Sequence, residues 1–292
     1  MMARNAMLRL PAPAKLNLML RIVGRREDGY HLLQTVFQFI DRCDWITLSP
    51  REDGQIHLSN PLPGVPEATD LTVRAAKALQ AASGVSQGVT LTLEKNLPMG
   101  GGLGGGSSDA ATTLVGLNHL WNAGLSLEEL KAIGLKLGAD VPVFIQGQAA
   151  WAEGVGEDLT PLDLDESWYV VIVPDCHVAT GAVFGSPHLT RDNPPIKIPD
   201  FFEGCRENHC LRVVLDTYPQ VADALDALSR HGEARLTGTG ACVFAAFADE
   251  SQARRAADAL KSGWSLFVAR GLNRSPLHGH LEGLKNQEFI GA

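Results

Sequence analysis

The sequence predicts an α+β protein with one large apolar core or two moderate ones. Strand-like and helix-like runs mix without strict strand–helix–strand alternation, and no internal repeat organises them. The 292 residues, 45% hydrophobic and 20% charged, suffice for such cores and argue against long disorder.

Residues 8–23 read as a strand with a polar interruption at Lys15 and Asn17. Residues 1–10 are basic but lack the apolar block and cleavage site of a signal peptide, and read as a lead-in. Residues 24–30 form a charged turn, and 35–40, 45–49 and 55–59 read as further strands. Residues 71–82 read as a helix with Arg74 and Lys77 off its apolar face. Residues 89–93 alternate as a strand and lead into a glycine run. A helix over 107–121 follows, with Gly124 at its C′ position. Ser126 and Glu129 form a capping box for the next helix, which ends at Gly138. Residues 168–173 are a buried-strand run closed by Pro174, and 191–199, with three prolines, read as a loop. Residues 211–231 are mostly helical; 234–247 hold a strand, a Thr-Gly-Thr-Gly turn and a second strand. A helix over 251–260 and a strand over 264–269 complete the pattern, and the best division into two domains is 1–163 and 164–292.

Bulk properties exclude several classes. A formal charge of −8 with no long basic run argues against a nucleic-acid partner. The longest apolar run, 241–248, is too short to span a bilayer, so no membrane association is expected. Five scattered cysteines, an odd number, fit a reduced cytoplasmic setting. Cys205, His209 and Cys210 lack a second ligand pair at zinc-finger spacing.

The most informative stretch is Pro98-Met99-Gly100-Gly101-Gly102-Leu103-Gly104-Gly105-Gly106-Ser107-Ser108-Asp109. Backbone without Cβ atoms approaches a ligand closely, and at a helix start its N–H groups and the helix dipole favour an anion such as phosphate. No Gly-Lys pair occurs in the chain, which excludes a Walker-type loop. Gly100, Gly102 and Gly105 formally fit a dinucleotide pattern, but the acidic residue expected about 20 positions on is replaced by a helix end at Leu120-Trp121-Asn122. An oxidoreductase is thus the weaker reading. The strand and apolar helix flanking the run argue against a flexible linker.

The run resembles the second signature of the GHMP kinases, a small-molecule kinase family that includes galactokinase, homoserine kinase and mevalonate kinase. Pro13-Ala14-Lys15-Leu16-Asn17-Leu18 resembles the first signature, and Leu236-Thr237-Gly238-Thr239-Gly240-Ala241 the third. All three stand in the family's order and span most of the chain. Arg25-Arg26-Glu27-Asp28-Gly29-Tyr30-His31 and Gly138-Ala139-Asp140-Val141-Pro142 resemble one branch, which phosphorylates the 2-hydroxyl of a cytidine diphosphate-linked methylerythritol in non-mevalonate isoprenoid synthesis. The resemblance implies a ribosomal-S5-like N-terminal domain, a ferredoxin-like C-terminal domain, and a site between them.

Phosphoryl transfer to an alcohol requires a held γ-phosphate, neutralised charge, an aligned hydroxyl and a proton acceptor. By spacing alone Asp140 fits a helix cap; the family motif implies a general base, and both roles stay open. Lys15 inside an apolar strand is costly unless paired, or is a strand-edge lysine reaching water; the resemblance implies that it sits by Asp140. Asn17 shares a strand face with Lys15 and is expected to bond substrate. Tyr30 and His31 are implied to hold cytosine, with Phe184, Thr180 and Val155 completing that pocket, and Thr239 and Gly240 touching substrate. Lys95, Asn96, Leu97 and residues 98–109 are expected to bind ATP, with Ser107 and Ser108 on phosphate or metal and Asp109 at the helix start. Mg2+ is expected from the chemistry, its ligands undefined. With a negative chain and two polyanionic substrates, attraction must be local, at Lys15, Lys95, Arg21, Arg25 and Arg26. A monomer or weak homodimer is expected. Two alternatives stay open: a GHMP kinase for another alcohol such as homoserine, and a non-catalytic nucleotide-binding protein.

Overall fold

The computed structural model describes residues 7–290, with side chains described to residue 283; most of the lead-in read over 1–10 lies outside it. Strand β1 (Leu8–Arg25) pairs antiparallel with β2 (His31–Arg51) along nearly its whole length. The turn between them closes with the Arg26 N–H on the Tyr30 carbonyl at 2.8 Å. β2 is one strand where the sequence suggests two. Pro13 pairs with Cys43 but Ala14 pairs with Ile40, so exposed Asp41 and Arg42 sit in a bulge that interrupts the alternation without ending the strand. β1 is buried without a break from Leu10 to Ile22, the mark of a strand covered on both faces.

β3 (Ile56–Leu58) lies parallel to β4 (Gly88–Glu94), which pairs with β2, and α1 (Leu71–Ser83) connects them. Asp70 caps α1, accepting from the N–H groups of Thr72 and Val73. Helix α2 (Gly105–Leu120) follows the glycine run, with Gly104 as its N-cap at φ 73°. Its C′ residue is Asn122 at φ 50°, not Gly124, since asparagine also tolerates the left-handed region. The expected capping box opens α3 (Leu127–Leu135), which ends three residues before Gly138. Sequence reading missed α4 (Val141–Gln146), with Pro142 in its first turn, and the short hairpin β5 (Ala150–Glu153) and β6 (Asp158–Pro161). Each is too short for a periodicity to register.

In the second half, β7 (Trp168–Val173) precedes α5 (Thr180–Gly185) and α6 (Ile198–Phe202), the latter beginning at the end of the expected 191–199 loop. The helix expected over 211–231 is two, α7 (Leu211–Thr217) and α8 (Pro219–Ser229). Pro219 has no N–H to donate, and Tyr218 before it leaves the helical region at φ −124°, ψ 87°. β8 (Ala234–Leu236), β9 (Val243–Phe247), α9 (Glu250–Leu260), β10 (Ser265–Leu272) and an unforeseen α10 (Pro276–Ile290) complete the fold.

The sheet runs β3-β4-β2-β10-β7-β9-β8, with β1 and β5 also on β2. β10 joins the halves: residues 265–270 pair with β7, while Gly271 and Leu272 pair with Ile40 and Phe39. The apolar clusters interleave along the chain. Leu20 and Ile22 of β1 pack with the second-half helices, whereas Leu277 and Leu281 of α10 pack with Leu10, Ala12 and α2. The centre of β1 is thereby clamped between both halves, and that is where Lys15 and Asn17 lie.

Candidate active site

Lys15 is 2% exposed, yet each of its three donors has an acceptor. Nζ donates to Asn17 Oδ1 at 2.5 Å and to the Gly102 carbonyl at 3.1 Å, and lies 3.1 Å from Asp140 Oδ2. These partners meet the desolvation cost of a buried ammonium. Asp140 occupies the N-cap position of α4 but makes no side-chain cap bond; its carboxylate turns to Lys15 instead. The side chain is about a third exposed, at 34%, and lines the main cleft, of about 930 Å³.

The glycine run is docked on the third-signature turn. The Ala241 and Cys242 N–H groups donate to the Gly100 and Gly101 carbonyls at 3.2 and 3.1 Å. Thr237 Oγ1 accepts from the Asn17 N–H at 3.0 Å and donates to the Gly102 carbonyl at 3.2 Å. A Cβ on Gly102 would overlap the Thr237 carbonyl oxygen, and one on Gly104 would press the Phe144 ring and Lys15 Cε. Gly102 and Gly104 also hold φ of 75° and 73°, so close approach and backbone conformation both demand glycine. Helix geometry leaves the N–H groups of Gly105, Gly106 and Ser107 without intrahelical acceptors, all on the cleft wall.

Contacts order the cleft from end to end. Leu71 lies beside Gly106, Lys95 and Asp44 beside Gly105, and Lys15 beside Gly104. Asn17 lies beside Gly238, and Thr239 Oγ1 meets Thr180 Oγ1 at 3.0 Å. At the far end His31 stacks on Phe184, centroids 4.9 Å apart at 29°. Tyr30, 61% exposed, borders this end, and Val155 lines it too. Leu62, Val65 and Leu93 line the opposite end with Leu71. The cleft thus has an aliphatic end, an anion-seeking helix start, a lysine–carboxylate pair and an aromatic end.

A model of the GHMP kinases N terminal domain matches residues 70–148, and one of the GHMP kinases C terminal domain matches 197–266. A 4-diphosphocytidyl-2-C-methyl-D-erythritol kinase of Methylococcus capsulatus is 56% identical over 276 residues, covering 94% of this chain and 95% of its own. One of Nitrosococcus oceani is 58% identical, with coverage of 94% and 99%. The chain belongs to the GHMP kinase family. The crystal structure of a 4-(cytidine 5'-diphospho)-2C-methyl-D-erythritol kinase, 33% identical, superposes with a TM-score of 0.79 over 90% of this chain and 99% of that one. A homoserine kinase of Cytophaga hutchinsonii shares the fold, with a TM-score of 0.70 at 14% identity over 94% and 97%.

On this GHMP kinase scaffold the cleft gathers most of the residues singled out from sequence: Lys15, Asn17, Tyr30, His31, Lys95, Pro98 to Ser107, Asp109, Asp140, Val155, Thr180, Phe184 and Thr239. Four do not reach its wall. The Asn96 and Leu97 N–H groups are spent on Asp44 Oδ1, at 2.5 and 2.8 Å. Ser108 is wholly buried in the first turn of α2. Gly240 faces Leu236 and Val214. Sequence reading missed Thr237, Arg191 and Asp44. Asp44 stands in the polar stretch between the runs read as strands over 35–40 and 45–49, which hides it among exposed neighbours.

Beneath the loop, Lys95 Nζ bridges Asp44 Oδ2 and Asp109 Oδ2, the latter at 2.8 Å. Burial pulls the Lys95 ammonium down, and Asp109 and Asp44 more than restore it. Burial pushes the Asp109 carboxyl up to about 7; Lys95 opposes the rise and Asp44 adds to it. A carboxyl raised by folding stabilises the fold while protonated. That contribution is complete below the ordinary aspartate range near pH 4 and is lost as pH rises through about 7. Asp109→Asn should therefore melt increasingly above the parent protein as pH moves from about 4 to about 7, with little further widening beyond. Thermal melts across that range check it; a constant gap would refute the assignment.

Proposed function

We propose that this kinase transfers the γ-phosphoryl group of ATP to the 2-hydroxyl of 4-diphosphocytidyl-2-C-methyl-D-erythritol, in isoprenoid precursor synthesis. The observation that carries the reading is the Lys15–Asp140 pair, placed between the glycine-loop helix start and the aromatic end. ATP lies with its base at the aliphatic end and its phosphates on the N–H groups of Gly105, Gly106 and Ser107. The acceptor lies with cytosine among Tyr30, His31 and Phe184.

Asp140 takes the proton of the 2-hydroxyl as its oxygen bonds to the γ-phosphorus; the bond from that phosphorus to the β-bridging oxygen breaks and ADP leaves. Lys15 holds Asp140 in place and steadies negative charge developing on the acceptor oxygen. Asn17 orients Lys15 through Oδ1 and is itself held by Nδ2 on Thr35 Oγ1 at 2.9 Å. Mg2+ belongs to the same proposal: Asp109, on the cleft wall, has a buried Oδ1 without a partner, and a hard oxygen of this kind suits it. When bound it neutralises phosphate charge.

An aromatic end suits a planar base and has no counterpart in homoserine. The five cysteines are all free, and no described helix is long and apolar enough to cross a membrane. A cytoplasmic monomer or weak homodimer, divided near 163/164, completes the proposal.

The test is ADP release by purified protein with ATP and Mg2+, with the cytidyl substrate and with homoserine and mevalonate as controls. ADP formed only with the cytidyl substrate, with phosphate on its 2-hydroxyl, supports the reading; turnover only with a control overturns it. Tyr30→Ala should raise KM for the cytidyl substrate roughly tenfold or more and spare KM for ATP, as loss of base stacking does. Initial rates with each substrate varied in turn check this.

A further inference from the structure

Arg191, in the segment between α5 and α6, spends its guanidinium in an uncommon way. Nε donates to His31 Nε2 at 3.1 Å. Nη2 donates to the carbonyls of Phe184 at 2.8 Å and Ser186 at 2.7 Å, and Nη1 to that of Leu189 at 2.9 Å. Among the described residues no carboxylate pairs with it. Its acceptors are neutral; the Phe184 carbonyl lies at the open end of α5, and the Ser186 carbonyl also accepts the Leu189 N–H at 3.3 Å. The same side chain therefore grips the backbone of Phe184 and the ring of His31, the two partners of the aromatic stack.

The bond to His31 has a definite chemical consequence. A guanidinium N–H can only donate, so His31 Nε2 must be the lone-pair nitrogen and Nδ1 must carry the ring proton. Burial first, then Arg191 and Arg25, lower the His31 pKa and keep the ring neutral. His31 then offers a ligand a fixed ring donor, Nδ1–H.

The geometry points to Arg191 as a positioning residue for pyrimidine recognition: it sets the tautomer of His31 and locks that ring against Phe184. This rests on the cytosine-pocket reading above. Loss of Arg191 frees the imidazole to take either tautomer and to turn off the stack.

Five variants and one spectrum test the idea. Arg191→Ala and Arg191→Lys should raise KM for the cytidyl substrate roughly tenfold, with kcat and KM for ATP held within about twofold. Lysine retains charge but cannot reach the ring and the carbonyls in one plane. Free guanidinium should restore part of the lost affinity in Arg191→Ala and none in His31→Ala. In nitrogen-15 spectra, the parent His31 should show a lone-pair Nε2 and a protonated Nδ1, and Arg191→Ala a tautomer mixture. The double variant should be no worse than His31→Ala alone. Unchanged KM in both Arg191 variants, or a parent ring protonated on Nε2, overturns the inference while leaving the pocket standing. If His31→Ala and Tyr30→Ala also bind the cytidyl substrate normally, the pocket reading itself fails.

Discussion

Asp140→Asn should lower kcat by roughly 10²–10⁴-fold and leave KM for ATP nearly unchanged, the loss typical of a missing general base. Asparagine keeps the size of the side chain and can still accept from Lys15, so the cleft and the α4 N-cap position retain their shape. It cannot take the hydroxyl proton. Because Asp140 makes no cap bond, the loss is chemical rather than structural: the variant should melt close to the parent. Steady-state rates with both substrates varied, together with a thermal melt, check this. A variant that turns over near the normal rate would discard Asp140 as base.

Lys15→Met should cost kcat roughly 10²–10³-fold, the scale set by removing one preorganised donor from a developing charge. Its consequences should spread further than those of Asp140→Asn. Methionine fills the volume but leaves Asn17 Oδ1 without its donor and the Gly102 carbonyl with Thr237 Oγ1 alone. Loosening of the glycine loop should raise KM for ATP as well, and stability should fall by about 1–3 kcal/mol, the cost of a buried acceptor left unmade. Combined with Asp140→Asn, the loss should be well short of the product of the two, since each acts through the other. Fully multiplicative losses would mean that the two residues serve separate steps.

What could be read from sequence was what the chain states locally. Six glycines before an apolar helix, a Ser-x-x-Glu box and a charged turn between strands each act over a few residues, and each stands where expected. Breaks depending on one residue were also legible in principle. Tyr218-Pro219 splits a helix that periodicity alone joins, because the missing N–H outweighs the apolar pattern. The site is less legible because its partners are remote. Asp140 looks like an ordinary cap until Lys15 arrives from the first strand. Thr237 ties Asn17 across 220 positions, and Arg191 finds His31 across 160. Neither pairing leaves a trace in the residues beside it. Asn96 and Leu97 stand next to the loop in sequence but serve Asp44, so adjacency to a motif misleads where a buried acid needs donors.

The reach of α10 back onto β1 has a bearing on how the protein is made. The strand that carries Lys15 is translated before every other strand, while Leu277 and Leu281, which cover its Leu10 and Ala12, emerge after all of them. Until then a growing chain exposes the apolar flank of the strand that carries Lys15, and closure waits on contacts of long sequence separation. A chain lacking α10 therefore leaves Leu10 and Ala12 without the cover of Leu277 and Leu281, the kind of exposed apolar surface that favours aggregation.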